Sequence, residues 1–134
     1  MGIARPERIE LVLALLPKLV CAPTKMVRKA TSPLLVLLQV VDPNTVSPAT
    51  GKTALLFLPE CNAGDLASME NQVVIAEQLM DAGANVNKRA AGASRLYPLH
   101  TALHSKNITN LDYIKLLMDR GAVRLNIFGE LDLY

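Results

Sequence analysis

Two segments of this chain close in the same way. Val73-Val74-Ile75-Ala76-Glu77-Gln78-Leu79-Met80-Asp81-Ala82-Gly83-Ala84-Asn85-Val86-Asn87 and Asp112-Tyr113-Ile114-Lys115-Leu116-Leu117-Met118-Asp119-Arg120-Gly121-Ala122 are both apolar at helical spacing, and in both the apolar stretch is closed by Gly-Ala, at Gly83-Ala84 and Gly121-Ala122. A glycine just past the last turn can adopt the left-handed conformation that ends a helix without Cβ strain, so Gly83 and Gly121 predict two helix ends. A shorter apolar segment precedes each, residues 51–58 in one case and Tyr97-Pro98-Leu99-His100-Thr101-Ala102-Leu103 in the other. Pro98 suits a first helical turn, where its missing N–H has no partner to lose. Leu99, Ala102 and Leu103 recur at helical spacing, small Ala102 lets a neighbouring helix approach, and Tyr113, Ile114, Leu116, Leu117 and Met118 make a wider stripe. A pair of short helices cannot bury such faces alone, so the chain is constrained to stack copies of one unit.

Residues 97–103 followed by 112–122 resemble the ankyrin repeat, whose pattern runs Thr-Pro-Leu-His-x-Ala into a short helix, then a loop, a second helix and a closing Gly-Ala before a β-turn finger. The upstream copy is spaced 44 residues from Leu55 to Leu99 and 38 from Gly83 to Gly121, against a family period of about 33, so the units carry insertions. The largest is a loop over residues 59–68, with smaller ones over 88–96 and 106–110. Ala54 stands where the family has Pro, Leu56 where it has His, and Pro59 predicts an early end to that helix. Residues 6–48 read as a degenerate first unit. Pro6, Glu7 and Glu10 open a helix that Pro17 is placed to kink or stop; a second helix over about 24–41 is interrupted near Pro33 and ends in an Asp42-Pro43-Asn44 turn. The resemblance thus implies one all-α domain over 1–134, a solenoid of about three ankyrin-like repeats (1–48 capping, 49–88, 89–126) with short β-turn fingers. Residues 127–134 form a closing hairpin or begin a truncated repeat.

The net charge of +2 and the lack of a sustained basic run argue against nucleic acid as the main partner. Lys25, Arg28 and Lys29 form a small basic group of the kind that usually makes a solvated helix face. Cys21 and Cys61 are the only cysteines, too few for a disulfide framework, and read as reduced thiols. The apolar run over 11–16 follows Glu7 and Glu10 and is broken by Pro17-Lys18, unlike a signal peptide, and bulky Val20 spoils a lipoprotein cleavage box at Cys21. No apolar run reaches the roughly 20 residues of a membrane span, so the expectation is a cytoplasmic or otherwise intracellular protein without a membrane partner; a secreted effector with an atypical signal stays open.

Three motifs invite a catalytic or metal reading. Gly51-Lys52-Thr53 looks like the end of a phosphate-binding loop, but Val46 stands where the first glycine is needed and Pro48 removes an N–H from the cradle, so Thr53 is expected to cap a helix instead. His100 and His104 share a helical face, yet two ligands do not make a zinc site and no Glu lies between them. Ser94, Ser105 and the cysteines show no nucleophile pattern. The expectation is therefore no enzyme, no cofactor and no metal.

The resemblance implies a protein-binding module whose partner docks on fingertips and first-helix positions. These map to Ala49, Thr50, Lys52, Phe57, Glu60 and Cys61 in one unit, and to Ala93, Ser94, Leu96, Thr101, His104 and Ser105 in the next. Lys88, Arg89 and Arg95 make the longer finger cationic, which suits an acidic patch on the partner. The alternative is a structural or capping segment of a larger ankyrin-containing protein or enzyme, with leftover apolar surface that could also self-associate.

Overall fold

The computed structural model describes residues 6–61, 65–88, 97–103, 110–122, 124–125 and 131–132. Helices dominate: α1 (Pro6–Val20), α2 (Thr24–Arg28), α3 (Pro33–Leu38), α4 (Ala54–Phe57) running into a 3-10 turn (Leu58–Cys61), α5 (Leu66–Asp81), α6 (Pro98–Leu103) and α7 (Leu111–Asp119). A minimal antiparallel pair, β1 (Arg124–Leu125) with β2 (Leu131–Asp132), closes the described tail.

The helices lie in two rows. Along one, α1 packs on α4 and α4 on α6; along the other, α2 packs on α5 and α5 on α7. The core between them is aliphatic, with Ile9, Val12 and Leu16 from α1, Leu55 from α4, Ile75 and Leu79 from α5 and Leu117 from α7 almost fully buried. Burying such side chains contributes about 1.5–3 kcal/mol each, which is how four- to six-residue helices that would not form in isolation persist here.

Several sequence expectations are corrected. Helix α1 runs through exposed Pro17 to Val20, because Leu16, Leu19 and Val20 are all buried and that burial offsets the hydrogen bond the proline removes. The helix expected over 24–41 is interrupted near Pro33 as expected, Pro33 opening α3, but it ends at Leu38, short of Val41. The loop expected over 59–68 shrinks from both ends. Pro59 does end α4 early, but in a 3-10 turn, and α5 already begins at Leu66 because Asp65 Oδ1 accepts from Ser68 N at 2.7 Å. Hydrogen bonds from the Ser68 backbone and side chain hold the Asp65 carboxyl below its ordinary pKa. Of the smaller insertions expected over 88–96 and 106–110, only Lys88 and Asn110 are among the described residues.

Both predicted helix ends have the expected geometry. Gly83 (φ 102°) and Gly121 (φ 91°) are left-handed. Ala84 N donates to Leu79 O and Gly83 N to Met80 O, and the same pair of bonds recurs from Ala122 to Leu117 and from Gly121 to Met118. A second recurrence was not anticipated. Thr45 N donates to Asp42 O and Asn44 N to Asp42 Oδ1; Lys88 N and Asn87 N make the same bonds to Asn85. From these matching turns, Asn44 Nδ2 reaches Gly83 O (2.9 Å) and Asn87 Nδ2 reaches Gly121 O (3.1 Å), so each turn fastens the helix end of the following unit.

Helix α5 carries the other cross-links. Asn71 Nδ2 donates to Val20 O (2.9 Å) and Ala22 O (2.7 Å) beyond the end of α1, and Gln78 Nε2 donates to Val27 O (2.8 Å) in α2. Gln72 Nε2 donates to Leu58 O (3.1 Å) in the 3-10 turn, while its Oε1 accepts from Asn110 Nδ2 (3.0 Å), the residue that caps α7. The carbonyls at helix ends lack intrahelical partners, and these amides supply them where water cannot. Asn71→Leu keeps the volume and removes the donor, leaving buried acceptors unsatisfied at about 1–3 kcal/mol. Urea unfolding should show a loss of that size, against less than about 0.5 kcal/mol for the exposed control Glu77→Gln.

Candidate protein-binding face

The residues expected at the first fingertip come from a tight turn. Ser47 N donates to Lys52 O (2.9 Å) and Gly51 N to Ser47 O (2.7 Å), with Gly51 at φ 72°. Buried Ser47 turns its hydroxyl both inward and outward: it donates to Glu10 on α1 and accepts from Ala49 N (3.2 Å). Ala49 and Thr50 are thereby displayed in solvent on a turn anchored to the first unit.

Lys52 is not free at this tip. It is half-buried and ion-paired with Glu60, which corrects its expected exposure. Thr53 Oγ1 accepts from Leu56 N (3.4 Å), so the Gly-Lys-Thr element here turns the chain and caps α4. Phe57 also departs from expectation, since its ring lies half-buried against the core instead of standing out as a contact residue. Glu60 is exposed. Cys61 is half-buried, its Sγ donating to Phe57 O at 3.7 Å.

In the next unit, Lys88 is half-buried beside its turn, and Thr101 on α6 is half-buried with its hydroxyl donating to Tyr97 O (3.3 Å). Arg89, Ala93, Ser94, Arg95, Leu96, His104 and Ser105 lie outside the described residues. The described geometry thus puts Ala49, Thr50 and Lys52 on one turn and ties Lys52 to Glu60 on the 3-10 segment.

The opposite, second-helix row has a different character. Arg28 pairs with Glu70 (3.3 Å) and Arg120 with Asp81 (3.1 Å), surface links from α2 to α5 and from α5 to the end of α7, and Glu77 and Lys115 stand in solvent. The basic group Lys25, Arg28 and Lys29 lies on this solvated side. A groove of about 380 Å³ runs between α3 and the end of α5, lined by Leu35, Leu38, Gln39, Gln78, Asp81 and Ala82, and contains none of the expected contact residues. No helix among the described residues is long and apolar enough to cross a membrane.

Comparison of the chain with protein families, with curated proteins and with solved structures returned no match.

Half-buried Cys61 and fully buried Tyr113 both carry raised pKa values. Burial pushes the Cys61 thiol up to about 12, with the charges of Glu60 and Cys21 adding to it. Complete burial likewise raises the Tyr113 hydroxyl, with Cys61 adding, while that hydroxyl donates to Leu55 O (3.3 Å) and so joins α7 to α4. Both groups hold their protons more tightly folded than unfolded. Their contribution to stability is therefore complete below the ordinary thiol and phenol pKa values and is lost as pH rises toward the folded ones. The urea midpoint should fall steadily from about pH 9 upward, and Tyr113→Phe should shallow that fall.

Proposed function

We propose that this chain is an ankyrin-like protein-interaction module that binds a partner protein along the fingertip and first-helix side. The observation that carries this reading is the repeated unit closure: the same left-handed glycine cap at Gly83 and Gly121, each fastened by an asparagine from the turn before it. A chain built from stacked, cross-linked units offers an extended side of turns and short helices whose backbone is fixed independently of its tip residues. Tip side chains can then vary without disturbing the core, which suits recognition.

The cationic finger residues Lys88, Arg89 and Arg95 favour a partner with an acidic patch. Capture by the wild-type chain followed by mass spectrometry identifies it. Arg89→Glu with Arg95→Glu should slow association, more at low salt than at high salt, and leave the urea midpoint nearly unchanged. Glu77→Ala and Lys115→Ala should leave binding intact. A partner that depends on Glu77 and Lys115 and ignores the finger would contradict the proposed face.

One observation favours the alternative of a segment within a longer array. Aligned on the closing glycines, Leu111, Ile114 and Met118 of α7 correspond to Val73, Ala76 and Met80 of α5. Ala76 is fully buried and Val73 and Met80 are partly buried, whereas Leu111 is 73% and Met118 41% exposed. Ile114 is half-buried, so the stripe covered on α5 is open on α7 at Leu111 and Met118. Under this reading, Leu111→Lys with Met118→Lys abolishes the association that finger charge reversal leaves untouched.

A further inference from the structure

Cys21 and Cys61 are 40 residues apart in the chain and belong to different units, Cys21 just past the end of α1 and Cys61 at the end of the 3-10 turn. Helix α1 packs on that turn. Consecutive residues of α5 hold the two backbones: Asn71 binds the carbonyls of Val20 and Ala22, on either side of Cys21, and Gln72 binds those of Leu58 and Pro59, just ahead of Cys61. The two thiols thus hang from neighbouring segments fixed to one turn of one helix. Cys21 is exposed and Cys61 half-buried with its Sγ turned to Phe57 O. Cys21 also adds, after burial and Glu60, to the rise of the Cys61 thiol.

We propose that Cys21 and Cys61 are a redox modification site, closing to an intramolecular disulfide by exchange with a low-molecular-weight disulfide of the oxidised-glutathione class. The exposed Cys21 thiolate attacks one sulfur of the oxidant; the Cys21–glutathione bond forms, the bond between the two glutathione sulfurs breaks, and one glutathione thiolate leaves. Cys61 gives its proton to solvent and attacks the Cys21 sulfur, forming the Cys21–Cys61 bond and expelling the second glutathione. Two cysteine thiols are oxidised and one glutathione disulfide is reduced to two thiols. Burial makes Cys61 the slower nucleophile, which sets this order of events. The bridge joins the first unit to the second at the place where Asn71 and Gln72 already hold them, and restricts the unfolded chain.

The test is incubation of the folded full chain with oxidised glutathione, followed by intact mass, thiol titration after unfolding, and a non-reducing peptide map. The expected result is a monomer lighter by two hydrogens, no free thiol, a Cys21–Cys61 linked peptide and a raised urea midpoint that reductant reverses. Cys21→Ser and Cys61→Ser should each show no oxidant-dependent rise in the midpoint. A stable glutathione adduct on Cys21 with Cys61 still free, or a disulfide found only between two chains, would overturn the proposal.

Discussion

The structure depends on the buried amides of α5. A stack of short helices creates many helix ends inside the protein, and each end carries carbonyls that neither the helix nor solvent satisfies. Asn71, Gln72 and Gln78 deliver N–H donors to those carbonyls in α1, α2 and the 3-10 turn, while Asn110 returns the favour to α5 through Gln72 Oε1 and Met69 O. Hydrophobic burial supplies most of the driving force, but it is non-directional and would tolerate sliding of one unit over the next. The amides fix the register. The oxygens of Asn71 and Gln78 are buried and meet no donor, a cost tolerated in exchange for that positioning.

The proposed binding side follows from this anchoring. Because the turn over residues 47–52 closes on itself and is tied through Ser47 to Glu10, Ala49 and Thr50 are presented without the core depending on them. The Asn44 and Asn87 clamps do the same for the helix ends, linking adjacent units at their edge. Rigid scaffolding with variable tips is the physical arrangement in which recognition can change while folding does not. The Lys52–Glu60 pair narrows what the first tip can offer, because both charges already partly neutralise each other.

What could be read from the residues was whatever local chemistry determines. Gly83, Gly121, Pro98, Thr53 and the Asp42-Pro43-Asn44 turn each act within a few residues, and each sits where the sequence placed it. What depends on distant partners was misjudged or missed. Pro17 reads as a helix breaker until the burial of Leu19 and Val20 is known, and Phe57 reads as exposed until the core behind it is seen. Nothing in the local pattern marks Asn71 and Gln72 as buried or Gln78 as half-buried, since polar residues in a helix are usually on its solvent side. One signal was available: Asp42 to Thr45 and Asn85 to Lys88 form the same turn at a constant offset, with Asn44 and Asn87 at matching places. The contact residues proposed at 89–96 and 104–105 rest on the resemblance alone.

If α5 holds the units together, its amides should be the last to open. Native-state hydrogen exchange on the wild-type chain measures this directly. The interior amides of α5, from Val74 to Leu79, should exchange only through global unfolding, with an opening free energy equal to that from urea denaturation and at least as high as any in α1 or α7. Exchange of those amides by local opening, while α1 and α7 remain protected, would contradict the account.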